Sequence, residues 1–178
     1  MPFPYKRIAA RLKQGDAATT TKGKGDALED VVSWIFCAMP GIKVLKRNFV
    51  DSAGSAEIDL LLYNDPRQTP VQFLTEFPMV ECKNWQAPVD SLTVRAFIAK
   101  LRSARLKVGI LVATNGVTGD ADDRTAAKNV IDRAFDRDGI ALIVITRGEI
   151  EGFRSKDDVL TFLQDRFGDA IMQSTVLR

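Results

Sequence analysis

Val80-Glu-Cys-Lys-Asn-Trp-Gln86 follows the apolar stretch Phe77-Pro-Met-Val80 and sets an acid and a base two residues apart. On a strand, alternation puts Glu81 and Lys83 on one face and Cys82 on the other. The spacing alone says little. A chain with 11 lysines and 23 acidic residues among 178 should hold about one such pair by chance. A surface ion pair is the plain alternative, so context has to decide.

Context supplies a second acid. Asp59 interrupts the apolar strand Glu57-Ile-Asp-Leu-Leu-Leu-Tyr63, where an unpaired carboxylate is costly. Two carboxylates on neighbouring strands can hold one divalent ion, with a lysine beside them to hold or polarise water. Metal-assisted phosphodiester hydrolysis needs that set.

Composition narrows the chemistry further. The chain has no histidine, which excludes Ser-His-Asp and Cys-His hydrolases and HExxH zinc enzymes. Carboxylates with lysine point to a hard, oxygen-preferring cation such as magnesium. Cys37 and Cys82 read as reduced core thiols of a cytoplasmic protein, small apolar fillers rather than a disulfide. No run of 18 apolar residues predicts a membrane span, and Met1–Gly15 lacks the apolar segment of a secretory signal. Net charge is +2, but residues 1–24 and 83–107 each carry +5. Two basic segments in an otherwise acidic chain suggest an anion-binding face. Solvated amphipathic faces would give the same pattern.

Periodicity predicts one main domain at 25–178 behind a basic N-terminal arm and linker at 1–24, with Thr19–Gly25 as loop. A helix starts at Asp26 and ends before Pro40-Gly41. Strands follow at Ile42–Val50 and Glu57–Tyr63, joined by a turn at Asp51–Ala56. A third strand is expected over Gln72–Lys83, at an edge or bulge because of Pro78. Asp90 or Ser91 caps a helix burying Val94, Phe97, Ile98 and Leu101. Val108–Thr114 and Ile140–Thr146 read as strands buried on both faces. Helices at about 120–137 and 156–167 complete an α-β-β-β-α-β-α-β-α order. The fold class is α/β, a mixed central sheet flanked by helices.

Gly25–Val32 (GDALEDVV), Glu57–Leu62 (EIDLLL), Val80–Trp85 (VECKNW) and Ile110–Ala121 (ILVATNGVTGDA) together resemble the PD-(D/E)XK nuclease superfamily, in its Mrr-like restriction endonuclease branch. The similarity covers roughly Gly25 to Phe153. One departure is that Ile58, not proline, precedes Asp59. The resemblance implies a restriction-endonuclease-like αβββαβ core and a metal-dependent endonuclease acting on DNA in restriction, defence or DNA processing. An inactive nuclease-fold module that binds nucleic acid or a protein partner is the alternative.

Further expectations come with the resemblance. Asp59 and Glu81 would be Mg²⁺ ligands, helped by the Cys82 backbone carbonyl, with Mn²⁺ able to substitute. Lys83 would orient water and offset charge on the phosphate. Glu29 would be a further catalytic and metal contact, or else a solvated helix carboxylate. Arg95 and Lys100 would approach phosphate, or face solvent. Asn115 would line the cleft beside Thr114, or simply be a polar loop residue. Trp34 is expected in or near the core, and Trp85 to pack rather than stack on a base. Cutting both strands of a duplex favours a homodimer. Methyl-directed members of the branch carry a separate DNA-binding domain, for which 24 residues are too few. Specificity would then fall to a partner subunit or to none.

Overall fold

The computed structural model describes residues 2–50, 57–119 and 126–176. Two helices, α1 (Tyr5–Ala17) and α2 (Thr21–Cys37), precede strands β1 (Ile42–Val50) and β2 (Glu57–Asn64). After a 3₁₀ turn at Gln72–Leu74 come β3 (Met79–Lys83), α3 (Ser91–Ser103), β4 (Val108–Ala113) and α4 (Ala127–Asp138). Strand β5 (Ala141–Ile145) and helices α5 (Arg147–Gly152) and α6 (Lys156–Val176) finish the chain. The sheet order is β1-β2-β3-β4-β5. β1 to β3 pair antiparallel, whereas β3, β4 and β5 pair parallel through helical crossovers. The expected αβββαβ core is therefore present, as α2-β1-β2-β3-α3-β4. Among the described residues no helix is long and apolar enough to cross a membrane.

The sheet separates two apolar layers. Leu60, Leu62, Val80, Ile110 and Val112 meet Leu28, Val31, Val32, Ile35 and Phe36 of α2 on one side. Met79, Leu111 and Leu142 meet Val94, Phe97, Ile98 and Leu101 of α3 and Val130 of α4 on the other. Every residue of β4 is buried, as its unbroken apolar run predicts for a central parallel strand. Gly109 allows α3 to come this close: a Cβ there would lie 2.5 Å from Leu101 Cδ1 and 2.8 Å from Leu142 Cδ1.

Several local expectations need correction. The N-terminal segment is not a free arm but helix α1, with Phe3, Ile8 and Leu12 buried in the α2-side layer. Its apolar stripe is too narrow to read as a helix, and packing supplies the missing stability. At Gly15 an added Cβ would come within 2.8 Å of the Ala27 Cβ, so α1 crosses α2 closely. Of the expected loop Thr19–Gly25, only Thr19 and Thr20 lie outside helix α2, which starts at Thr21. Thr20 caps α2 by accepting from Gly23 N at 3.0 Å, which outweighs the low propensity of two glycines. The 24/25 division falls inside this helix.

The long third strand is short. Only Met79–Lys83 forms strand, and it lies at the centre of the sheet rather than at an edge. Pro78 stands just before it, where its carbonyl accepts from Leu62 N at 3.0 Å and no N–H is required. Helix α6 runs through Gly168, helped by Phe167 packing on Phe73 with ring centroids 5.1 Å apart. Gly139, left-handed at φ 62°, ends α4 as expected. The anticipated turn at Asp51–Ala56 and the start of the third expected helix, at about 120, lie outside the described residues.

Candidate active site

Strand register brings the two acids together. Leu61 pairs with Met79, so Asp59, two residues before Leu61, shares a sheet face with Glu81 and Lys83, which alternate with Met79 along β3. This face looks toward α3. Cys82 points the other way, against the α2-side layer. The β2–β3 pairing ends at Leu60↔Val80. Extending the register by two would match Ile58 with Cys82, but the Cys82 N–H instead donates to Asp59 Oδ2 at 2.6 Å. The Asp59 side chain thus replaces a ladder partner where the strands part. Ladder parity turns the Cys82 carbonyl toward the same gap, since Lys83 O faces β4 and accepts from Thr114 N.

Glu81 is only 5% exposed, a position that requires partners. It has two. Lys83 Nζ lies 2.7 Å from Oε1 and Lys100 Nζ lies 2.9 Å from Oε2. Lys100 also donates to the Glu57 carbonyl at 2.6 Å. This lysine, expected as a phosphate contact or a solvated side chain, instead reaches from α3 across to the acidic strand. It is part of the site's internal charge balance.

The electrostatics follow from this crowding. Burial, then the charge of Glu81, pushes Asp59 up to about 6, and the N–H of Cys82 only partly offsets the rise. Glu29 adds to it from α2. Burial alone would lower Lys83, but the hydrogen bond and charge of Glu81, with Asp59, outweigh it and hold the ammonium above its ordinary value. Burial also drives the Cys82 thiol well above the usual thiol range, so it stays protonated and is neither nucleophile nor thiolate ligand.

Glu29 is not a solvated carboxylate. It is 7% exposed and pairs with Arg47 Nε of β1 at 2.9 Å. Arg47 also holds Asp30 at 2.6 Å and donates to the Asp26 carbonyl at 3.1 Å. Arg11 of α1 grips the other oxygen of Asp30 at 2.7 Å. A cavity of about 280 Å³, lined by Lys22, Gly25, Asp26, Glu29, Asn48 and Glu57, opens beside this network. Sequence reading missed Arg47, because a lone arginine on an alternating strand reads as surface.

The loop after β3 is tied down at several points. Asn84 Nδ2 donates to the Lys24 carbonyl at 3.1 Å. The Trp85 carbonyl accepts from Thr114 Oγ1 at 3.1 Å and from Asn115 Nδ2. Asn115 is therefore a brace for this loop. Trp85 is 43% exposed, with Lys83 Nζ over its ring at 5.8 Å. Trp34 is half-buried beneath the Arg7 guanidinium, 3.7 Å from its ring centroid. Cys37, expected in the core, is exposed at the end of α2. Arg95 is exposed and makes no ion pair among the described residues.

Among the described residues no three carboxylate, thiol or imidazole groups converge into a ready-made metal cage. The available set is Asp59, Glu81 and the Cys82 carbonyl. All three donors are oxygen, and Asp59 is pushed up by burial and then by the charge of Glu81. That combination fits a hard divalent cation, which would relieve the repulsion. Glu29, the further acid expected there, is engaged by Arg47 while its charge reaches Asp59.

A sequence model of the restriction endonuclease family, in its Mrr-type catalytic domain, matches residues 21–144. The chain belongs to this family. The match runs from the first residue of α2 into β5 and takes in both acidic strands. Helices α1, α5 and α6 lie outside it. Membership of this nuclease family agrees with the mixed sheet and its flanking helices. No curated protein matches the chain.

Proposed function

We propose that this Mrr-type protein is a metal-dependent endonuclease that hydrolyses phosphodiester bonds in DNA, working in the cytoplasm. One observation carries the reading. Asp59 and Glu81 share a face of neighbouring strands, and burial and mutual charge hold Asp59 at about 6 with a charged Lys83 alongside. Asp59, Glu81 and the Cys82 carbonyl would hold Mg²⁺, with Mn²⁺ as a substitute. The cation would supply Lewis-acid polarisation of the phosphate and of the attacking water.

The chain's own groups do the rest. Lys83 keeps its proton, so it offsets the negative charge that builds on phosphate and does not act as a base. Lys100 fixes the Glu81 carboxylate from behind. Glu29 adds negative charge near Asp59, and Arg47 limits how far it moves. Cutting both strands of a duplex would take two copies of the chain, one centre per strand. A separate specificity subunit would supply sequence choice.

Supercoiled plasmid tests this. With Mg²⁺ or Mn²⁺ it should be nicked or linearised, and with EDTA left intact. A protein that cuts neither plasmid, single strands, RNA nor branched junctions in either cation contradicts the reading. The second reading, an inactive nuclease-fold module binding nucleic acid or a protein, draws on the double clamp of Glu81 by Lys83 and Lys100. In that case the two ammonium groups stand permanently where a cation would sit.

A further inference from the structure

We propose that the exposed indole of Trp85 is a stacking platform for an unpaired base, so that the preferred substrate is DNA that is single-stranded or locally opened beside the scissile phosphate. The proposal rests on the nuclease reading for its scissile phosphate, but not for the binding itself. A lone exposed aromatic is ordinary on a protein surface. Trp85 differs in how it is held.

The residue is 43% exposed, yet the chain around it is held at several points. Its carbonyl takes hydrogen bonds from Thr114 and Asn115. Asn84 before it binds the Lys24 carbonyl at 3.1 Å. Val89 after it donates to the Gly116 carbonyl at 2.8 Å and accepts from Thr118 N at 2.9 Å. Two strand ends and the start of α2 thus hold the segment while the indole stays outside. Such rigidity removes much of the ordering cost of binding.

One cation lies over the ring. Lys83 Nζ lies 5.8 Å from its centroid. The Asn84–Lys24 contact brings in the first turn of α2, where the Lys22 side chain is 82% exposed. A fixed aromatic face beside basic residues is what strand-binding proteins use to stack bases while tracking the backbone. A closed duplex keeps its bases stacked inward and offers the ring nothing to stack on.

The test uses the full chain, as wild type, Trp85→Ala and Trp85→Phe, with Ca²⁺ present. The probes are a dT oligomer, an abasic oligomer of equal length and a blunt duplex, followed by anisotropy and tryptophan emission. The dT oligomer should quench emission in wild type. Trp85→Ala should weaken dT binding about tenfold and leave the abasic strand and duplex within about twofold. Trp85→Phe should keep most of the affinity while losing the quench. Undetectable dT binding, equal dT affinity in wild type and Trp85→Ala, or an equal loss on the abasic strand overturns the proposal. Absence of Mg²⁺-dependent cleavage with the dT discrimination intact removes the nuclease reading and leaves the platform standing.

Discussion

Replacing Asp59 with asparagine is expected to make the metal-free protein more stable while abolishing cleavage. Burial and Glu81 hold this carboxyl at about 6, against an ordinary 3.8. A gap of that size corresponds to about 3 kcal/mol against the charged form at pH 8. Asp59 is half-buried, and screening by the remaining solvent brings this to about 1.5 kcal/mol. The folded state binds this proton more tightly than the unfolded state. The associated stability is therefore fully present below about 3.8 and lost as pH rises through about 6. Asparagine keeps an oxygen for the Cys82 N–H and carries no charge. For a chain of this length, Asp59→Asn should raise the melting temperature by about 3–6 °C at pH 8 in EDTA. The gap should shrink toward zero as pH approaches 4. Excess Mg²⁺ should raise the wild-type melting temperature and leave the variant's unchanged. A variant that melts at or below wild type at pH 8, or a gap that does not change with pH, refutes the reasoning.

Four further variants can be checked by urea denaturation. Lys100→Ala leaves the nearly buried Glu81 with one ammonium instead of two and should cost about 2 kcal/mol. Arg47→Ala frees Glu29 and Asp30 together and should also cost about 2 kcal/mol. Arg47→Lys should recover little, since one ammonium cannot span both carboxylates and the Asp26 carbonyl. Gly109→Ala forces a methyl between Leu101 and Leu142 and should cost about 1–3 kcal/mol, with α3 displaced from the sheet.

The elements that place the acids were legible because period and burial agree in them. The unbroken apolar run of β4, the stripe of α3 and the interrupted strand around Asp59 each carry a pattern that tertiary packing reinforces. The strand-period argument put Glu81 and Lys83 on one face and Cys82 on the other, and register added Asp59 to the first. What stayed hidden lies between elements. Lys100 sits 17 residues beyond Lys83, and no period says that a helix will aim it at Glu81. Arg47 and Glu29 meet only once β1 lies beside α2. Helix α1 carries too few apolar residues to announce itself and depends on the close crossing at Gly15. Trp85 is expected to pack, and no period shows that side-chain bonds from the β4 loop to its carbonyl leave it 43% exposed.

Single-turnover cleavage of a DNA strand by wild type and Lys83→Ala, with binding measured in parallel, tests the central claim most directly. The account predicts that Lys83→Ala binds the strand within a few-fold of wild type and cuts it at least about 10²-fold more slowly in Mg²⁺. Cleavage by Lys83→Ala at the wild-type rate would contradict it.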